Sequence, residues 1–314
     1  MIDFSLINTI NPYVRMMRLK RSAAMSGKWK DIDNVFTYVA AGSADFIVEG
    51  VKYTLKAGDL IIIPPYKTHV VISQGRDSLV QYIMHFDYYE EKARKKLIHK
   101  DILEDKNYSG SISEREKRIS QDVLIAEIPE AERNNLVRRY LSLLREFKDN
   151  RPGRELMIRA DCIGLLVSAF RNIREEGQDR EKDNEQRTKS WLLIERAVEY
   201  INKQGVINAP DNQAIARATG VSPNYLTKIF QDYLGISLHK YVMNLKVEKV
   251  QQLLLSGKVN VTEAARMAGF SSIHVLSKTF KNYLGISPSE FLDQSVNREG
   301  LVDNIYQRPE YDKE

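Results

Sequence analysis

The pentapeptide Tyr-Leu-Gly-Ile-Ser occurs twice in this chain, once from Tyr233 and again, fifty residues later, from Tyr283. A repeat at a fixed interval names a structural unit before any single residue does. The first copy ends the stretch AIARATGVSPNYLTKIFQDYLGIS, and the second ends EAARMAGFSSIHVLSKTFKNYLGIS. Each reads as a short helix, a glycine turn (Gly220, Gly269), a second helix and a glycine stop (Gly235, Gly285). In the first copy Ser222 suits an N-cap, and Pro223 falls at the first helical position, where its missing N–H costs nothing. Helix, tight glycine turn, helix is the outline of a helix-turn-helix.

The second helix of each copy has two faces. Leu226, Ile229, Phe230 and Tyr233 fall on one side and must pack, as do Leu276, Phe280 and Tyr283 in the second copy. Aligned from Phe230 and Phe280, the outward residues pair as Asn224 with His274, Thr227 with Ser277, Lys228 with Lys278 and Gln231 with Lys281. Donors and acceptors without carboxylates on a cap-started helix suit a reader of the DNA major groove. One such stripe is ordinary solvated surface; the same stripe in two helix-turn-helix outlines favours the reading role. Between the copies, SLHKYVMNLKVEKVQQLLLS carries apolar residues at helical spacing. A helix of ~20 residues is ~30 Å long, close to the ~34 Å of one DNA turn. The repeat thus reads as two DNA-reading units on a stiff spacer.

The rest of the chain divides by its periodicity. At 314 residues it has room for about two domains. From Tyr13 to Phe86 short alternating runs (NVFTYVA, ADFIVEG, VKYTLKAGD, LIIIPPYKTHVVIS, SLVQYIMHFDYY) separated by turn signals predict a β-sandwich or barrel. From about Glu114 to Glu176 the period becomes helical. The second helix there, from Arg154, is apolar over much of its surface and calls for cover from the barrel or a second subunit. REEGQDREKDNEQRTKS reads as an interdomain linker, and the residues after Leu292 as a mobile tail.

Charge and cysteine content bound the function. A net charge of +5 and a pI near 9.0 suit a polyanionic partner without demanding one. The lone Cys162 lies in an apolar run, which fits a buried small hydrophobe and excludes an internal disulfide. No run approaches the ~20 apolar residues of a membrane span, and the N-terminus lacks signal-peptide form. A cytoplasmic protein is expected.

The region from Trp191 to Leu292 resembles the DNA-binding domain of the AraC/XylS family of bacterial transcription regulators. AIARATGVSPNYLTKIF, LKVEKVQQLL, VTEAARMAGFSSIHVLSKTF and YLGISPSEF carry the resemblance. It implies base-reading roles for Asn224, Thr227 and Lys228 in the first module, and for Ile273, His274, Ser277 and Lys278 in the second. Ile273 is an apolar departure, and Lys246 stands where the family usually has Arg. The N-terminal GSADFIVEGVKYTLKAGDLIIIPPYKTHVV is similar, less closely, to the family's cupin-like sensor barrel. That resemblance implies a small effector, often a sugar, with dimerisation through the following helices and activation by contact with RNA polymerase.

A cupin barrel can instead be a metal enzyme. Such enzymes gather several His and carboxylate ligands, typically with a His-x-His pair on one strand. NVFTYVAAG has no histidine, and His69 and His85 lack evident partners. No catalytic residue, metal site or cofactor is therefore expected. An effector pocket needs converging hydrogen-bond groups and an aromatic wall, for which Trp29, Tyr38, His69, Gln81 and His85 are candidates. The expected architecture is multidomain, mixed α and β: a cupin-like barrel at 1–110, a helical dimerisation segment at 111–176, a linker at 177–190, an all-α domain with two helix-turn-helix motifs at 191–293, and a flexible tail at 294–314. The function it implies is a homodimeric, effector-controlled regulator of double-stranded DNA. A cupin enzyme with a DNA-binding tail and an effector-free regulator with a structural barrel remain the alternatives.

Overall fold

The computed structural model describes residues 4–22, 26–74, 79–97, 112–148, 151–174, 184–204, 210–255, 257, 259–284, 286–297 and 304–307. After a 3₁₀ turn at Phe4–Thr9 come eight strands: β1 (Tyr13–Ser22), β2 (Ser26–Trp29), β3 (Asn34–Ala41), β4 (Ser43–Val48), β5 (Val51–Lys56), β6 (Asp59–Ile63), β7 (His69–Gln74) and β8 (Leu79–Asp87). Pro64 and Pro65 split β6 from β7, as two missing N–H donors must. Helices α1 (Lys92–Lys95) and α2 (Glu114–Ile119), strand β9 (Leu124–Glu127) and helices α3 (Glu130–Lys148) and α4 (Arg154–Arg171) complete the N-terminal part. The C-terminal part is α5 (Asn184–Gln204), α6 (Asn212–Thr219), α7 (Pro223–Leu234), α8 (Leu238–Leu255), α9 (Val261–Met267), α10 (Ile273–Leu284) and α11 (Pro288–Asn297), followed by strand β10 (Asn304–Gln307).

The strands form two facing antiparallel sheets, one in the order β10-β1-β8-β3-β6-β9 and one in the order β2-β7-β4-β5. Because successive side chains on a strand point to opposite faces, each strand serves two cores. Val35, Val39, Phe46, Leu55, Ile61 and Ile83 fill the space between the sheets. Their neighbours Phe36, Tyr38, Leu60, Ile62, Met84 and Phe86 face outward and pack with residues of α3 and α4, among them Tyr140, Leu143, Cys162 and Leu166. Cys162 is fully buried, and burial pushes its thiol well above the ordinary range. On the opposite side Ile47, Val70 and Ile72 share a core with Trp191, Ile194 and Val198 of α5. The barrel is thus covered by helices on one sheet and by the C-terminal domain on the other.

Three boundaries differ from the sequence reading. Strand β9 lies inside the segment read as helical and extends the larger sheet, pairing Asp59 with Glu127 through Ile62 with Leu124. Four residues hold too few alternations to declare a strand. Helix α5 starts at Asn184, within the segment read as linker. Glu, Gln, Arg and Lys are strong helix formers, so a charged run ahead of a packed helix extends it. The tail is not wholly without structure: β10 pairs antiparallel with β1, Met16 opposite Gln307 through Leu19 opposite Asn304.

Candidate functional site

The reading helices are set by their caps. Ser222 accepts a bond from the Tyr225 N–H at the start of α7, and Ser272 does the same for the Val275 N–H at α10. Gly220 ends α6 with φ 73°, a left-handed turn that glycine makes at no steric cost. Asn260 and Glu263 form a reciprocal capping box on α9. Each second helix buries the predicted face: Leu226, Ile229 and Phe230 in α7, and Leu276, Phe280 and Tyr283 in α10.

The repeat extends further than the shared pentapeptide. Phe230 meets Tyr241 edge-on at 5.6 Å, and Phe280 meets Phe291 edge-on at 5.5 Å. Both partners lie eleven residues downstream, so the start of α8 does for the first module what α11 does for the second. Helix α8 also belongs to two cores. Leu238, Tyr241 and Val242 pack into the first module, and Val247, Val250 and Leu254 into the second. Lys246, between them, donates from Nζ to the Gly269 carbonyl at 2.8 Å, bracing the turn of the second module. At 18 residues α8 is ~27 Å long.

Opposite the buried faces, Asn224, Lys228 and Gln231 are exposed on α7 and Thr227 is half-buried; on α10 Ile273, His274, Lys278 and Lys281 are exposed and Ser277 is half-buried. Gln231 spends its amide on the Gly235 carbonyl at 3.0 Å, closing the helix end. Tyr225 and Val275, which the sequence reading assigned to neither face, are both exposed beside these stripes.

Residues 215–294 match the helix-turn-helix domain family and residues 17–85 the cupin domain family. The C-terminal domain is a helix-turn-helix domain. The chain is also similar to curated regulators over part of its length. The Msm operon regulatory protein of Streptococcus mutans is 36% identical over 83 residues, which are 26% of this chain and 30% of that protein. The xylose operon regulatory protein of Escherichia coli is 29% identical over 107 residues, 34% of this chain and 26% of that one. The chain thus spans about a third of the length of such relatives. Among solved structures, ToxT from Vibrio cholerae aligns over 90% of this chain and 99% of its own, at 14% identity and a TM-score of 0.41. An AraC-type regulator from Chromobacterium violaceum aligns over 35% of this chain and 96% of its own, at 28% identity and a TM-score of 0.33.

The barrel sorts the effector candidates. Alternation along β8 puts Gln81 and His85 between the sheets with Leu79 and Ile83, and alternation along β7 puts His69 there with Val71. Gln81 and His85 are four residues apart on one strand, so ~13 Å separates them. Tyr38 does not join them. It faces the helices, stacked 6.2 Å from Tyr82, which in turn lies 4.9 Å from Tyr140. Its position, one step from Thr37 and Val39, puts it on the outer face of β3. Trp29 pairs through its backbone with His69, and its side chain lies outside the described residues.

At one end of the barrel the polar side chains converge. His85 Nδ1 is 2.9 Å from Asp33 Oδ1 and 3.9 Å from Asp31 Oδ1, and His69 Nε2 is 3.7 Å from Asp31 Oδ2. His69 is buried, which holds its pKa down to about 4 despite the opposing bond to the Lys67 carbonyl; the charge of His85 lowers it further. It is neutral at pH 7. The Asp31–Asp33 loop is fixed by its backbone: the Tyr66 N–H donates to the Asp31 carbonyl at 2.8 Å, and Arg94 Nη2 donates to the Ile32 carbonyl at 2.6 Å. Asp87 holds both Arg94 and Arg15. Sequence reasoning missed this cluster because it sought a histidine pair on one strand, whereas these groups come from the loop before β3, the start of β7 and the end of β8.

Proposed function

We propose that the protein is a sequence-specific DNA-binding transcription regulator that reads two successive major grooves with α7 and α10 and is controlled by a ligand in the N-terminal barrel. The observation that carries this reading is the doubled stripe: Asn224, Thr227, Lys228 and Gln231 on one helix, and His274, Ser277, Lys278 and Lys281 on the other, over separate cores joined by α8. In this reading Ile273, exposed at the start of α10, meets a thymine methyl. The operon-regulator names of the relatives support the same class.

Control by a small molecule, a sugar among the candidates, rests on the polar barrel interior around His69, Gln81 and His85. Dimerisation is supported by Leu141, Leu156 and Met157, which α3 and α4 leave 36%, 67% and 47% exposed on the side away from the barrel. Among the described residues no helix is long and apolar enough to cross a membrane, which suits a cytoplasmic regulator. Activation through RNA polymerase is the mode we infer from the family.

The deciding experiment is a footprint of the full-length protein on the DNA flanking its own gene. Protection of adjacent major grooves on one face supports the reading. Lys228→Ala and Lys278→Ala should each cost about 1–3 kcal/mol of specific binding where the lysine touches a base. Binding that is uniform across sequences and vanishes at moderate salt would reduce the assignment to non-specific affinity for polyanions.

A further inference from the structure

Strand β10 follows the second reading module in the chain, yet it lies on the barrel. It pairs with β1, Asn304 opposite Leu19 through Gln307 opposite Met16, and runs beside α3. The stretch of β1 that receives it is fixed from its other sides. Met16, Met17 and Leu19 are buried, and β8 pairs with β1 from Tyr13 to Ser22. The Tyr140 hydroxyl of α3 donates to the Arg18 carbonyl at 3.0 Å. An edge so fixed offers a row of main-chain donors and acceptors to an added strand.

We propose that the edge of β1 is a docking site for the chain's own C-terminal strand, which tethers the second reading module to the barrel. The tether acts on the module through α11, because Phe291 packs edge-on against Phe280 of α10 at 5.5 Å. Seven residues of chain carry Asn297, the end of α11, to Asn304, the start of β10. That is a reach of at most ~25 Å. At its other end the C-terminal domain is joined to Arg174 by a segment that can reach ~36 Å before α5. With β10 docked the domain is tied at both ends, so a module that leaves the barrel returns to it as an intramolecular event.

Two neighbouring residues of β1 thereby serve the second module. Leu19 lies opposite Asn304, and Lys20 lies 3.7 Å from Glu248 of α8, which accepts the Tyr283 hydroxyl of α10 at 2.8 Å. Lys20 is also opposite Gln81 of β8, whose side chain lies between the sheets. A displacement of β1 from inside the barrel reaches the second module both by the spacer and by the tail. The tether is releasable, since the four residues of β10 can leave without opening the longer β1–β8 ladder. It stands whether or not the chain reads DNA.

The test measures the distance between barrel and second module by pulsed electron resonance, with spin labels at Lys56→Cys on β5 and Thr262→Cys on α9, both exposed. Cys162 is fully buried and takes no label. Trp191→Ala is included throughout so that the seam does not mask the tail, and labelled protein is diluted with unlabelled. The chain carrying its tail should keep one short distance; the chain ending at Asp303 should lose that peak to a broad, longer distribution. Ile305→Pro with Tyr306→Pro should do the same, because adjacent strand residues alternate and one of the two must remove a donor from the ladder. The same distribution with and without the tail overturns the proposal. So does a dimer that falls to monomers on truncation, which would assign the strand to exchange between two copies. Should the altered chains fail to fold, hydrogen exchange of the wild type decides. Faster exchange at the Met16–Leu19 amides that face β10 than at those that face β8 upholds a releasable strand, and equal rates sink it.

Discussion

Single residues carry much of the polar architecture, and Glu116 shows how burial sets their chemistry. Its carboxyl accepts the Tyr88 and Tyr89 N–H groups at 2.9 and 3.0 Å and the Asn34 amide at 2.8 Å, tying α2 to the end of β8 and the start of β3. Burial, reinforced by the charge of Asp87, nonetheless raises its pKa to about 7. The folded protein then keeps a proton that the unfolded chain has released above the ordinary value of 4.5. Stability from this group is complete below that value and is lost as pH climbs through about 7. The stability difference between wild type and Glu116→Gln, followed by denaturant unfolding, should therefore shift against wild type between pH 5 and pH 8 by on the order of 3 kcal/mol. A difference that does not vary with pH would mean a carboxylate ionised throughout. Lys246 acts differently, by geometry. Its bond to the Gly269 carbonyl is the link between spacer and second turn, and Lys246→Met should cost about 1–3 kcal/mol by leaving that acceptor without its donor. Thermal unfolding of the variant measures it.

Among the elements, α8 is the one on which both reading units depend. Its first half completes the core under Phe230 and its second half the core under Phe280. It therefore fixes the spacing and rotation of α7 against α10, which neither module could set alone. A proline at Lys249 removes a helical bond and collides with the preceding turn, at a cost of about 3 kcal/mol or more. The expected outcome is loss of paired-groove protection in the footprint with residual contact at one groove. Unchanged protection of both grooves would mean that the modules find their spacing on the DNA itself. At the other end of the chain, β10 occupies an edge of the larger sheet beside β1, so the polypeptide that leaves the second module returns to the barrel.

At the scale of the whole molecule the two domains share a seam. Trp191, 3% exposed, sits against the turn at Gly50, where an added Cβ would come within 3.1 Å of the indole Cγ. Gly50 also has φ 83°, so both backbone shape and space call for glycine there. Farther along, Lys20 of β1 lies 3.7 Å from Glu248 of α8, and Glu248 accepts the Tyr283 hydroxyl at 2.8 Å. A chain of polar contacts thus runs from the barrel wall through the spacer to the second reading helix. Trp191→Ala should remove about 3–5 kcal/mol of packing at the seam. Calorimetry is expected to resolve separate barrel and C-terminal transitions in that variant where the wild type melts cooperatively. One undivided transition in both would place the coupling elsewhere, with the β1–β10 pairing the next candidate.

The sequence by itself determined the helix-turn-helix pair, the Ser222 cap and the inward and outward faces. Those follow from glycine and serine at fixed offsets and from a 3.6-residue period, all local properties of the chain. It also separated Gln81 and His85 from Tyr82 and Phe86, since a two-residue period needs no partner strand to be read. Only the tertiary structure decided which face of each strand met which cover. Both faces of β3 are buried, one between the sheets and one under the helices, so Tyr38 read as interior when it packs outward on Tyr82 and Tyr140. The same holds for β9 and β10, short edge strands stabilised by the neighbour they join rather than by their own pattern. The gathering of Asp31, Asp33, His69 and His85 was invisible for a related reason. Their separations along the chain carry no period, and only the closing of the two sheets brings them within a few ångströms.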